Sequence, residues 1–542
     1  MLNNKIKMKN KIYLVASGDL RLSANQHCWE AQLLMEDKLT KVLNDFGVEV
    51  IRAHGYDKSK KHGFIDSQSM GIEVFKGIPK KSSVIVAVAV WQYSHHVFSG
   101  LNTHKGDILT IANWSGKWPG LVGLLNLNAS LTKDGINYST LWSEDFLDEK
   151  FTQNLKTWIE KGKIKHDESH VIPFKDITFS KNKFKLGKEV AVKLKKEKAI
   201  MGVFDEGCMG MYNAIIPDSI LHKTGLYKER LSQATLYAKM LTVSDSEAND
   251  CYKWLVNKGV TFKFGRNEKT QLTKNQVIEQ CKMYIASVRL SDEFGCDLIG
   301  IQYQQGLKDL TPASDLAEGM LNNVDRPPVF SEKNKKILYE GKAIPHFNEV
   351  DECAGLDALI TNRLWILMGL SPETTLHDLR WGKDYEFENG KEFVWVLEIS
   401  GAAPAEHFIG GYAGASSERQ PPMYFKLGGG TLKGISKPGH IVWSRIYLKN
   451  EKLHCDIGIG NVVFLPQEET ELRWNETTSQ WPIMHTIFKG VTRDQMMARH
   501  KSNHVQVAYA NDEKTVIEAM INKAMAFHEL GVKVYICGKN IV

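Results

Sequence analysis

Residues 83–91, SVIVAVAVW, form an unbroken apolar run. A strand without polar alternation has no face that water can wet, so it must be covered on both sides. Helices supply that cover in parallel sheets, and the flanking segments have the matching rhythm. Residues 12–16 (IYLVA) read as a first strand, 24–46 as a helix, 48–52 as a second strand and 108–113 (ILTIAN) as a fourth. Strand, helix, strand at this spacing predicts a parallel, doubly wound sheet. Ligands of such sheets lie beyond the carboxyl ends of the strands. The polar groups placed there are Gly18 to Arg21, then Trp91, Gln92 and Tyr93, then Asn113, Trp114 and Ser115.

A charged, irregular stretch at 161–188 reads as a linker. A second α/β unit follows, with strands at 198–204 and 297–301, a helix at 315–323 and a break at Arg326, Pro327 and Pro328. After about residue 370 the texture changes. Glycine and proline rise, as at 401–404, 410–411 and 428–430, and short strand candidates recur at 393–397, 440–447 and 461–465. An amphipathic helix is expected at 514–530. The expected fold is therefore α/β, with two doubly wound α/β domains (1–175 and 176–370) followed by a β-rich, barrel-like C-terminal domain (371–542). At about 150 residues per domain, 542 residues agree with two to four such bodies.

Composition excludes several classes. Apolar content of 43% and charged content of 24% are those of a globular protein. The net charge of +6 is spread along the chain in short lysine runs, so no nucleic-acid partner is expected. Eight cysteines contain no C-x-x-C pair, which argues for reduced thiols in a cytoplasmic protein rather than a zinc knuckle or redox motif. The basic N-terminus is followed by an apolar run, 12–16, too short for a signal peptide or a span, and no window reads as transmembrane.

Chemistry concentrates in a few places. Residues 348–355, NEVDECAG, put Glu349, Asp351 and Glu352 within four positions, next to an apolar helix-like run at 356–368. Such a knot is either a helix N-terminus, where carboxylates are favoured, or an oxygen site for a hard divalent cation. Asp378, between apolar neighbours in LHDLRW, is a second acid that serves as an ion-pair member, a ligand or a base. His500 and His504, in RHKSNHVQV, offer imidazole nitrogen, or else belong to a basic surface stretch. The run at 204–211, FDEGCMGM, has neither helical nor strand period and reads as a turn. Gly428 to Gly430 lacks the Lys-Ser/Thr of a phosphate loop, which disfavours nucleotide binding.

Taken in order, these segments resemble the L-fucose and L-arabinose isomerase superfamily. Residues 300–305 (GIQYQQ), 309–312 (DLTP) and 315–322 (DLAEGMLN) are similar to its strand-loop-helix. Residues 348–351 with 358–361 are similar to its glutamate segment, 377–381 (HDLRW) to its later aspartate strand, and 502–507 (SNHVQV) to its late histidine segment. The resemblance implies an aldose–ketose isomerase and homo-oligomer that acts on a hexose or deoxyhexose through a cis-enediol, with Mn2+ or a related divalent cation such as Mg2+ or Co2+. It implies Glu349, Asp378 and His504 as metal ligands, with Glu349 and Asp378 also moving the proton between C1 and C2. Asp351 and Glu352 then take supporting or capping roles.

The sugar-facing positions it implies, joined with the strand ends above, are Arg21, Trp91, Gln92, Asn113, Trp114, Gln302, Gln304, Arg499, Lys501 and Asn503. The family loop G-Q-R is replaced here by Tyr303, Gln304 and Gln305, and its E-N-D by Glu349, Val350 and Asp351. Sugar-facing residues therefore differ while the acids persist. One alternative is a sulfonated hexose such as sulfoquinovose, for which Arg21, Lys117, Arg499 and Lys501 are the available cations. Others are a non-catalytic sugar-binding protein on the same scaffold and a metal hydrolase or lyase.

Overall fold

A computed structural model describes residues 11–177, 184–207 and 210–539. The N-terminal residues 1–10, and Cys208 and Met209 of the glycine-punctuated turn, lie outside the described residues. The chain is mixed α/β and divides into two compact units. The first holds residues 1–168, 210–213 and 493–503; the second holds 169–209, 214–492 and 504–542.

The first unit is built on five parallel strands: β1 (Lys11–Val15), β2 (Glu49–Arg52), β3 (Ser83–Val88), β4 (Ile108–Asn113) and β5 (Ser139–Ser143). Their order is β2-β1-β3-β4-β5, with Ile12 opposite Ser83 and Val86 opposite Thr110. β3 is buried at every position, as its unbroken apolar run requires. Val84, Val86 and Val88 pack with Val97 and Leu101 of the helix His95–Thr103 and with Leu127 and Leu131 of the helix Gly120–Lys133. The order reverses between β1 and β3, the switch point at which such sheets open a crevice. The helix Leu22–Asp45 buries Cys28, Met35, Leu39, Val42 and Leu43, a helical stripe.

The second unit contains two sheets that bear on function. One is parallel and three-stranded, with Ala199–Phe204 between Leu298–Ile301 and Leu226–Leu231. The other closes on itself. Gly439–Lys449 pairs with His504–Ala510, which pairs with Thr375–Phe387, then Gly390–Glu398, then Ile483–Phe488, then Lys452–Val462, which returns to Gly439–Lys449. All six pairings of this ring are antiparallel. Lys533–Cys537 adds to it in parallel, and Val171–Pro173 adds to Lys533–Cys537. Part of the expected linker is thus a strand, because Val171 and Ile172 find backbone partners in Cys537 and Ile536. Among the described residues, no helix is long and apolar enough to cross a membrane.

Candidate active site

The acidic knot sits between the parallel sheet and the ring, within the second unit. After Leu298–Ile301 and a crossing of chain, Asn348–Val350 makes one tight turn, and Asp351 then caps the helix Glu352–Met368. The turn is strained: Glu349 has φ 56° and Val350 φ 54°, left-handed values that a β-branched residue rarely adopts. Three adjacent acids consequently point to three different jobs.

Asp351 is fully buried. Its Oδ1 accepts from the Ala354 N–H at 3.0 Å, the ordinary N-cap bond. Its Oδ2 accepts from Arg445 Nη1 at 2.6 Å and faces His504 Nδ1 at 2.8 Å. Burial opposes its ionisation, but the Arg445 charge and the His504 hydrogen bond prevail and hold the carboxyl well below the usual range. Glu352, also fully buried, accepts from the Ile216 N–H at 2.6 Å and pairs with Lys228 Nζ at 2.8 Å, tying the helix start to the strand Leu226–Leu231. Burial raises its carboxyl to about 7, against the opposing pull of Lys228.

Glu349 faces His504 from the other side. Its Oε2 lies 3.8 Å from His504 Nε2, and Asp378 Oδ1 lies 3.5 Å from the same nitrogen. Asp378 and His504 are cross-strand partners in the ring, which explains how residues 126 positions apart meet. The His504 side chain is 1% exposed, whereas Glu349 and Asp378 keep 19% and 12%, so the two carboxylates form the wet rim of a dry imidazole. Burial works against protonation of His504, yet the Asp351 hydrogen bond and the nearby carboxylates raise its pKa.

Among the described residues, no three His, Cys, Asp or Glu side chains stand together as a formed metal centre. The chemistry nevertheless fits. Two carboxylates and one imidazole suit Mn2+ and its neighbours. Distances of 3.5 and 3.8 Å exceed hydrogen bonds yet are short enough for the three side chains to hold one ion between them. Asp351 on Nδ1 would leave Nε2 to coordinate a bound ion, the usual carboxylate–histidine–metal order. Glu349, Asp378 and His504 are the residues that would hold the ion.

Further acids surround this cluster. Asp315 and Glu318, one turn apart on Asp315–Leu321, are buried and raised, Asp315 to about 8; burial is the main cause and the Glu349 charge adds to it. Gly401 allows them in: a Cβ there would lie 2.4 Å from Glu318 Oε2. Glu398, opposite Asp378 in the ring, pairs with Arg380 at 2.8 Å. Asp315 and Glu318 lie in the DLAEGMLN segment, where a spacing of three on a helix is the sequence signal for two acids on one face.

The remaining expected positions divide between the units. In the second, Gln302 donates to the Gly207 carbonyl at 3.0 Å and accepts from the Gln304 N–H at 2.9 Å, so its amide ties Gly207 to the start of the loop. Tyr303, where the family pattern differs, donates to the Thr311 carbonyl at 2.9 Å and stacks on Phe425. In the first, Arg21 is bidentate to Asp19 at 2.8 and 2.6 Å, and the buried Gln92 donates to the Gly123 carbonyl at 3.0 Å. Trp91 and Trp114 are buried, Arg493 lies 5.0 Å above the Trp114 ring, and Asn113 ends β4. Arg499 pairs with Glu168 at 3.0 Å, Lys501 donates to the Ala498 carbonyl at 2.9 Å, and Asn503 approaches Met211 Sδ at 3.2 Å. A separate cavity of about 590 Å³, lined by Thr273, Gln276 and Arg419 among others, shares no residue with the acidic cluster.

No protein-family model matches the chain, and no curated protein matches it.

Proposed function

We propose that the chain is a metal-dependent aldose–ketose isomerase of the fucose and arabinose isomerase kind, acting on a hexose or deoxyhexose. The observation that carries this reading is the meeting of Glu349, Asp378 and His504, from three distant segments, around one imidazole nitrogen. A divalent cation bound there would polarise the sugar carbonyl and acidify the neighbouring C–H and O–H. The chain's own part is proton handling. Glu349 Oε2 and Asp378 Oδ1 flank His504 Nε2, are partly exposed, and are placed to take a proton at one carbon and return it at the next through a cis-enediol. Asp351 holds the imidazole.

The finer architecture belongs to the same proposal: two doubly wound α/β domains and a barrel, supported by the two parallel sheets and the six-strand ring. So do a homo-oligomer and a cytoplasmic setting. A neutral sugar is favoured over a sulfonated one, because Arg21 and Arg499 are each held by a carboxylate.

The test is purified protein with Mn2+ and a panel of neutral and sulfonated aldoses in D2O, read by NMR for ketose and for deuterium at C2. Turnover of a neutral aldose is expected. Sugar binding without turnover would favour the non-catalytic reading, and full metal content in all of Glu349→Ala, Asp378→Ala and His504→Ala would remove the ligand assignment.

A further inference from the structure

Arg445 lies on Gly439–Lys449, far in sequence from every segment the proposed site draws on, and no chemistry was expected of it. It is 2% exposed. Its Nη1 donates to Asp351 Oδ2 at 2.6 Å, while Nε and Nη2 have no hydrogen-bond partner among the described residues. A guanidinium stripped of water in this way is costly unless its charge is answered, and Asp351 answers it. The same Oδ2 atom faces His504 Nδ1 at 2.8 Å. Arg445, Asp351 and His504 are therefore joined through one carboxylate oxygen, with the Ala354 N–H fixing the other oxygen of the central carboxylate.

The neighbouring strand residue makes a second, separate fastening. Ser444 Oγ donates to Asp357 Oδ2 at 2.7 Å, and the buried Lys523 pairs with Asp357 Oδ1 at 2.6 Å. Two consecutive residues of one strand thus grip the same helix at Asp351 and Asp357. Only the first grip touches His504. A purely structural role would make the two equivalent.

We propose that Arg445 is a positioning residue for the metal site: it fixes the Asp351 carboxylate so that Asp351 holds Nδ1 of His504 and turns Nε2 toward Glu349 and Asp378. This rests on the cation reading of the site. The charge sequence is plus, minus, imidazole, so loss of Arg445 leaves Asp351 a buried anion with one fewer donor and a freer orientation. Outer partners of a metal-ligating histidine typically carry 10- to 100-fold in metal affinity.

The test compares Arg445→Met, Arg445→Lys and Lys523→Met with the wild-type chain, measuring Mn2+ affinity by calorimetry and the melting temperature of the metal-free protein. Both methionine variants are expected to lower the melting temperature. Arg445→Met is expected to lose Mn2+ affinity by about 10- to 100-fold, Arg445→Lys to recover part of it, and Lys523→Met to stay within about threefold of wild type. Should Arg445→Met fail to fold, Asp351→Asn keeps the helix cap and reads the same link, with the same loss expected. Equal affinity in Arg445→Met or Asp351→Asn and wild type overturns the positioning role alone. A wild-type chain that binds no Mn2+ overturns it together with the metal reading.

Discussion

Val350 is the residue that pattern reasoning would least expect at its place. Nothing in NEVD announces a left-handed turn, since neither glycine nor asparagine stands at 349 or 350. Strain of this kind costs about 1–3 kcal/mol and persists only where the surroundings enforce it. Here Val350 is fully buried and Asp351 is pinned by the Ala354 N–H, Arg445 and His504. The result aims Glu349 away from its neighbours and toward Nε2 of His504. Because glutamine keeps the size and shape of the side chain, which is 19% exposed, Glu349→Gln is expected to fold with a nearly unchanged melting temperature. Deuterium uptake at C2 should fall by about 100- to 10,000-fold, the usual worth of a positioned acid or base. Uptake above a tenth of the wild-type rate would take Glu349 out of the proton transfer. The three candidate ligands were legible as types in sequence order. The backbone that separates Glu349 from Asp351 and Glu352 was not, because left-handed strain leaves no mark on composition.

Legibility at the level of elements followed burial pattern. The helix expected at 514–530 is Glu513–Glu529, legible from its amphipathic pattern, and the strand expected at 108–113 is Ile108–Asn113, legible as a short buried run. The helix Lys274–Glu293 escaped the reading although Thr273 and Gln276 form a capping box at its start. It is buried on nearly every side, and Gln276, Gln280, Ser287 and Arg289 interrupt its apolar stripe. Those polar residues explain the glycine run that looked like an incomplete phosphate loop. Gln280 Nε2 donates to the carbonyls of Ala313 and Gly430, at 2.6 and 2.9 Å, and its Oε1 accepts from the Gly430 N–H at 2.9 Å. Gly429, at φ 96°, lies so close that a Cβ would meet Gln280 Nε2 at 2.8 Å and the Ala313 nitrogen at 2.9 Å. Gly429→Ala is therefore expected to cost about 1–3 kcal/mol, read as a lower urea midpoint. Gly295→Ala, at φ 65° with open space around it, should cost about 1 kcal/mol or less. Equal losses would mean that the close approach to Gln280 contributes nothing.

For the whole molecule, the parallel sheet of the first unit was readable because an unbroken apolar strand leaves few alternatives. Closure of the ring was not, since Gly439–Lys449 takes one partner from its hairpin and the other from His504–Ala510, a pairing no local pattern encodes. The interiors of both units bury titratable groups, and these set the response to pH. Burial holds His54, His346, His377, His407 and His485 near 3 and His96 near 4. Their unfolded counterparts take protons below about 6.5, so each contributes stability that is full above that pH and lost as pH falls, by up to about 1.4 kcal/mol per pH unit. Burial acts oppositely on carboxyls: Asp315 sits near 8, and Glu352 and Glu398 near 7. Their stability is full below about 4, where unfolded carboxyls are also protonated, and is lost as pH rises through 7 to 8. Between about 4.5 and 6.5 the two sets oppose each other and the histidines lowered by burial, His62, His95 and His166 included, outnumber the raised carboxyls, Glu318 included, so stability still climbs. Above 6.5 the raised carboxyls, Glu318 among them, and the raised His504 act in the same direction, and it falls. The metal-free protein is accordingly expected to resist urea best near pH 6.5, with a steep loss toward pH 4 and a shallower one toward pH 8. Urea midpoints followed by tryptophan fluorescence at pH 4, 5.5, 6.5 and 8, in the presence of EDTA, measure this directly. A midpoint that keeps rising to pH 8 would mean that Asp315, Glu352 and Glu398 fold as anions, with Lys228 and Arg380 outweighing the burial of the last two.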